Sequence, residues 1–155
     1  MSLAIGQTFP TCSIPATSGL TFTPESCLGK KLVLYFYPKD ATPGCTVEAG
    51  NFRDNIEAFT KANTLIIGVS RDSLKSHESF KAKHELPFEL ICDDQEVLCQ
   101  MFGVIKMKNM YGKQVRGIER STFIFDSKGV LVKEWRGLKV PGHVDEVLQT
   151  VIAMS

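Results

Sequence analysis

No stretch of this chain approaches the roughly 20 consecutive apolar residues of a membrane-spanning helix, so no membrane span is expected. The opening residues Met1-Ser2-Leu3-Ala4-Ile5-Gly6-Gln7 have neither a basic head nor an apolar core. A secretory signal is therefore not expected, and the cytoplasm is the expected compartment. Neither charge sign prevails: 18 Lys and Arg stand against 17 Asp and Glu, a formal charge of +1. Polyanions, whether nucleic acid or an anionic membrane, are not the expected partners. Among five cysteines (Cys12, Cys27, Cys45, Cys92 and Cys99) there is no C-x-x-C pair. An odd number in a chain large enough to fold uncrosslinked argues against a disulfide framework. The three histidines, His77, His84 and His143, are scattered without metal-ligand spacing, so no metal site is expected.

No repeat, low-complexity tract or Pro/Gly/Ser-rich linker divides the 155 residues, so a single domain over residues 1–155 is expected. With 43% hydrophobic and 23% charged residues, the composition is that of an ordinary folded domain. Leu32 to Tyr37 is an unbroken apolar and aromatic run of the kind buried on both faces of a sheet. A turn rich in Pro and Gly follows, then a helical pattern from about Cys45 to Lys61 with Phe52, Ile56 and Phe59 on one face. Thr64 to Ser70 reads as a second buried strand, Leu74 to His84 as a helix, Phe88 to Cys92 as a short strand and Gln95 to Phe102 as a short helix. Ser121 to Phe125 and Val130 to Trp135 are strands joined through Asp126-Ser127-Lys128-Gly129, a hairpin signal. Trp135 is expected to serve packing. The last helix runs from about His143 to Met154, and Cys12 to Ile14 with Leu20 to Thr23 form a small hairpin near the start.

This order implies an α/β layer with helices on both faces, and the ββα ending makes the sheet mixed. The expected architecture is a thioredoxin-like fold: a central mixed sheet flanked by helices, with an N-terminal β-hairpin extension.

The chemistry is concentrated in Pro38-Lys39-Asp40-Ala41-Thr42-Pro43-Gly44-Cys45-Thr46-Val47-Glu48. Cys45 falls at the mouth of a buried strand and at the start of the next helix. Unpaired N–H groups and the positive end of the helix dipole favour a thiolate over a thiol there. In open α/β sheets, the crevice beyond the strand ends is also where ligands bind. Thr42, three residues earlier, has a hydroxyl able to reach back toward the sulfur or to hold a substrate oxygen. Pro38 and Pro43 restrict the turn, and Pro38 would shield the pocket from water.

The pattern Pro38…Thr42…Cys45 resembles the P-x-x-x-T-x-x-C signature of peroxiredoxins. The longer string YFYPKDATPGCTVEAGNFRD is similar to the Q-type branch, also called bacterioferritin comigratory protein. The likeness spans nearly the whole chain, including Gly68-Val69-Ser70-Arg71-Asp72 and Glu119-Arg120-Ser121-Thr122-Phe123. It implies a thiol peroxidase for hydrogen peroxide and organic hydroperoxides, with no metal, haem or flavin. Cys45 would attack the peroxide and become a sulfenic acid. Thr42 would hold the peroxide, and N–H groups near Gly44 and Cys45 would stabilise the oxygens. Arg120 would keep Cys45 ionised and polarise the substrate. Glu48 matches an acidic or amide residue of this branch, although a Glu near a helix start is also favoured by the dipole.

Two features depart from that branch. The usual places for a resolving cysteine are filled by Gly50 and by Lys81. The chain is then either a one-cysteine enzyme recycled by an external thiol, or one resolved from an unusual place by Cys92, Cys99, Cys12 or Cys27. Thioredoxin, glutaredoxin and small thiols are the expected reductants, and the branch implies a monomer. A peroxide sensor or a disulfide oxidoreductase are the rival functions, the second weakened by the lack of a C-x-x-C pair. The basic stretch Lys106, Lys108, Lys113, Arg116 and Arg120 is expected to be a solvated loop that rims the site and raises its positive potential.

Overall fold

The computed structural model describes residues 2–154, with only the backbone of Met110. The chain opens with a hairpin of β1 (Ile14–Pro15) and β2 (Thr21–Phe22), then a 3-10 turn over Pro24–Cys27. Ser18 and Gly19 at the hairpin tip both have positive φ, the twist that suits a two-strand reversal. Next come β3 (Lys31–Phe36), α1 (Pro43–Asp54), α2 (Ile56–Lys61), β4 (Thr64–Ser70), α3 (Leu74–Lys83), β5 (Glu89–Cys92) and α4 (Val97–Phe102). The remainder is β6 (Ile105–Met110), β7 (Lys113–Ile118), β8 (Ser121–Phe125), β9 (Leu131–Arg136) and α5 (His143–Ala153).

The main sheet has the order β5-β4-β3-β8-β9. β3, β4 and β5 are parallel, while β8 and β9 join antiparallel. All six residues of β3, the central strand, are buried. Its side chains alternate between two cores, as period 2 requires. Leu32, Leu34 and Phe36 face one core with Phe9, Ile14, Phe22, Leu98 and Phe102. Val33, Tyr35 and Tyr37 face the other, with Ala49 and Phe52 of α1, Phe59 of α2, Phe80 of α3 and Val147 of α5. Four helices thus cover one face, and α4 with the N-terminal hairpin covers the other. The expected thioredoxin-like arrangement is the one found.

Lys31 is an unusual member of this interior, only 8% exposed. Its ammonium donates to Ala62 O at 3.0 Å and to Val151 O at 2.7 Å, near the ends of α2 and α5. It satisfies terminal carbonyls that the helices cannot.

Two expectations need correction. The helix read over Cys45 to Lys61 is two helices that break at Asn55, whose amide donates to Asn51 O at 2.8 Å. A side chain that competes for a backbone carbonyl in this way favours a break. The basic stretch before Arg120 is not a loop. β6 and β7 pair in antiparallel register from Ile105–Ile118 to Met110–Lys113. Tyr111 and Gly112, φ 54° and 78°, make the reversal. Most of β7 is exposed, so the ribbon has little of the apolar alternation that marks a strand. Among the described residues, no helix is long and apolar enough to cross a membrane.

Candidate active site

Thr42 is the N-cap of α1 and Pro43 its first residue, where a missing N–H costs nothing. The first i→i−4 bond runs from Thr46 N to Thr42 O at 2.9 Å. The N–H groups of Gly44 and Cys45 come before it and are not used by the helix. Cys45, 1% exposed, thus sits in the first turn, within the same buried cluster as Tyr35, Tyr37 and Ala49.

Arg120 arrives from far along the chain. It stands between β7 and β8, and β8 pairs with β3, which brings it beside the carboxyl end of the strand that leads to Cys45. Its backbone is held by Leu138 N, which donates to Arg120 O at 3.1 Å. Its guanidinium donates with Nη2 to the Cys45 sulfur at 3.4 Å and with Nη1 to Glu48 at 2.7 Å. A Cβ at Gly44 would lie 3.1 Å from Nη2, so the bare glycine gives the guanidinium its path to the sulfur.

Glu48, one turn beyond Cys45, is fully buried. Burial pushes its carboxyl up to about 7, although Arg120 pulls the other way by its charge and its hydrogen bond. Only one carboxylate oxygen is used; Oε2 is buried without a partner. Burial also works against the Arg120 charge, but Glu48 and Cys45 outweigh it and hold the guanidinium above its ordinary value. Sequence reasoning gave Glu48 a secondary place, because its depth depends on how α1 lies on the sheet.

Of the two roles expected of the Thr42 hydroxyl, the bond to the sulfur is not the one it makes. It donates to Lys39 O at 3.0 Å, and no hydrogen bond joins it to the Cys45 sulfur. With its one proton so directed, only its lone pairs remain for a further partner. Pro38, half-buried, follows β3 directly at the head of the loop. Of the basic residues expected to rim the site, Arg120 alone reaches the sulfur. Arg116 is paired with Glu96, which also takes Arg71 at 3.0 Å, and Lys108 donates to Ile118 O. Trp135 packs at the edge of the Cys45 core, edge-on to His143 with ring centroids 5.3 Å apart.

The other four cysteines are also free thiols. Cys12, Cys27 and Cys99 belong to or pack against the core on the opposite side of the sheet from Cys45. Burial, then Glu25 and Asp93, pushes Cys12 up to about 11. Burial raises Cys27 and Cys99 as well, the latter helped by Asp93. Cys92 ends β5, the outer strand, about 10 Å and two strand spacings from β3. Burial first, then the charges of Asp94 and Asp93, raises its thiol.

Sequence reasoning missed a buried polar cluster behind the site, made by Tyr37, Asp40, Asp72, Ser76 and His77. Its signal was an Asp inside the Pro38–Thr42 loop and a His on the third helix, 37 positions away.

Comparison with known proteins agrees with this arrangement. The model of the AhpC/TSA family matches residues 5–134. Peroxiredoxin Bcp of Bacillus subtilis is 50% identical over 155 residues, covering 100% of this chain and 99% of that protein. Peroxiredoxin Bcp of Xanthomonas campestris is 52% identical over 137 residues, 88% of this chain and 86% of the relative. A solved cysteine-to-serine mutant of PrxQ from Xylella fastidiosa superposes with a TM-score of 0.94 at 41% identity, covering 99% of this chain and 98% of that one. The chain therefore belongs to the AhpC/TSA family, and within it to the Bcp or Q-type peroxiredoxins.

Proposed function

We propose that this protein reduces hydrogen peroxide and organic hydroperoxides by a one-cysteine mechanism centred on Cys45. The observation that carries the peroxidase reading is a buried thiol in a first helical turn, contacted by a guanidinium at 3.4 Å. A structure of the Xanthomonas campestris relative was described in terms of its alkyl peroxide reduction activity, which supports the same substrate class.

In the first step, the Cys45 thiolate attacks one peroxide oxygen. An S–O bond forms, the O–O bond breaks, and the leaving oxygen departs as water or an alcohol after taking a proton. Arg120 and the N–H groups of Gly44 and Cys45 stabilise the charge that spreads over the oxygens. Thr42, its proton given to Lys39 O, accepts the hydrogen of the hydroperoxide. Pro38 closes the loop side of the pocket against water. In the second step, an external thiol attacks the Cys45 sulfenic acid, releases water and leaves a mixed disulfide. A second thiol then frees Cys45 and carries away the disulfide.

The one-cysteine reading rests on the sheet that lies between Cys45 and Cys12, Cys27 and Cys99. A disulfide needs Cα atoms within about 7 Å, and Cys92 ends the outer strand β5, two strand spacings from the strand that leads to Cys45. Thioredoxin, glutaredoxin or a small thiol supplies the electrons, and a thiol-reducing compartment such as the cytoplasm suits the free cysteines. A single-domain monomer completes the reading.

The test is to mix reduced protein with one equivalent of hydrogen peroxide and to record its intact mass within seconds. Gain of one oxygen on Cys45 is expected. Loss of two hydrogens would replace the one-cysteine mechanism with an internal disulfide. An unchanged mass would remove the peroxidase reading.

A further inference from the structure

The loop that leads to Cys45 is held in a conformation it would not choose alone. Ala41 has φ 63°, in the left-handed region that disfavours any residue with a Cβ. Such a residue persists only where its surroundings over-determine it. Ala41 lies between Thr42 and Asp40, and Asp40 is where the surroundings take hold.

Asp40 is 6% exposed, and both its carboxylate and its backbone are fixed. Tyr37 Oη donates to Oδ1 at 2.7 Å; Ser76 Oγ reaches Oδ2 at 2.8 Å, and His77 Nδ1 lies 2.7 Å from the same oxygen. Its own N–H donates to Asp72 at 2.9 Å, and Asp72 also accepts from Ser70. Burial opposes the Asp40 charge, but the bonds from His77, Tyr37 and Ser76 outweigh it and hold the carboxyl below its usual range.

His77 is fully buried on α3. Its Nε2 lies 2.9 Å from Ile91 O, a carbonyl that can only accept. Its Nδ1 faces an ionised carboxylate, which also can only accept. The bond to Asp40 therefore needs a proton on Nδ1. Asp40, Asp72 and His77 bring ligand atoms within 4.8 Å of one another, but hydrogen bonds already occupy those atoms, so the cluster is a brace and not a cation site.

We propose that His77 is a positioning residue for the peroxide reaction, acting through Asp40 to hold the loop that presents Thr42 and Cys45. The inference rests on the peroxidase reading and adds to it a residue on α3 that touches neither thiol nor peroxide. The contact with Ile91 O ties α3 to β5; the contact with Asp40 ties α3 to the reactive loop. Only the second is asked to matter for rate.

Two substitutions separate the contacts. In His77→Asn the amide nitrogen falls near the place of Nδ1 and keeps the bond to Asp40. In His77→Gln the amide reaches toward the place of Nε2 and keeps the bond to Ile91 O. The readouts are the second-order rate of Cys45 oxidation by hydrogen peroxide and the melting temperature of each variant. His77→Gln is expected to lose about ten- to hundredfold in rate, and His77→Asn to stay within about threefold of wild type, although both melt earlier. Equal rates in the two variants, with a reactive wild type, would overturn the inference and leave the peroxidase reading standing. A wild type that fails to react overturns both. Nitrogen chemical shifts of the wild-type imidazole give a check that needs no variant: a protonated Nδ1 is expected, and an unprotonated Nδ1 would overturn the brace.

Discussion

Arg120 Nη1 lies 2.7 Å from Glu48 Oε1, joining a guanidinium whose side chain is 17% exposed to a carboxylate that is not exposed at all. The same guanidinium reaches the Cys45 sulfur, so one cation serves two groups that become negative. That sharing has consequences for both stability and rate.

Glu48 is held up to about 7 from 4.5, chiefly by burial. Between those values the unfolded chain has released the proton and the folded chain keeps it. Stability therefore falls as pH rises through this window, by on the order of 3 kcal/mol. His143 works in the opposite sense: burial lowers it from 6.5 to about 4, so stability falls as pH drops through that range. The two contributions largely offset each other in the wild type. Glu48→Gln should unmask the histidine, and denaturant melts between pH 4 and 7 should then show stability climbing with pH. A variant as flat as the wild type would refute the assignment.

Arg120→Lys keeps the charge but loses the fork that spans Glu48 and Cys45. Its rate with hydrogen peroxide should drop about hundredfold in stopped-flow measurements. A loss within twofold would mean that the charge alone suffices.

Gly44→Ala tests the same contact from the other side. The added methyl would lie 3.1 Å from Nη2, closer than ordinary contact, so the guanidinium must shift by a few tenths of an ångström from its place beside the sulfur. About a tenfold loss in rate is expected with a melting temperature close to wild type, because alanine suits a helix turn better than glycine.

Single Cys→Ser changes at Cys12, Cys27, Cys92 and Cys99 should each leave turnover with an external thiol intact. Steady-state peroxide consumption checks this, and collapse in any one of them identifies a resolving thiol. Cys45→Ser should abolish consumption.

Gly68 faces Tyr35 across the β3–β4 register. A Cβ there would come within 2.8 Å of Leu90 and 2.9 Å of Tyr35. Gly68→Ala should cost about 1–3 kcal/mol in chemical denaturation, by overpacking beneath the site.

Much of the site was legible in the residues themselves. The apolar run of β3, the Pro-Thr-Pro-Gly turn and the helix start locate Cys45 with no tertiary information. Arg120, 75 positions away, came through resemblance, since its approach depends on β8 pairing beside β3. What escaped depends on packing between distant segments. Glu48 looks like any early helical glutamate until α1 is laid on the sheet. Asp40 and His77 meet only because β4 and α3 return the chain to the loop. The β6–β7 ribbon escaped for another reason: with Met107, Tyr111 and Val115 exposed, it carries little of the one-sided burial that marks a strand.

The division of the cysteines by the main sheet has a kinetic meaning. An internal partner would heal the sulfenic acid at a rate independent of concentration. Under the one-cysteine mechanism proposed above, recovery is a bimolecular event, and its speed scales with the reductant around the protein. Under a burst of peroxide, throughput is then set by the supply of thiol, and the oxidised fraction of the protein reports the state of that supply.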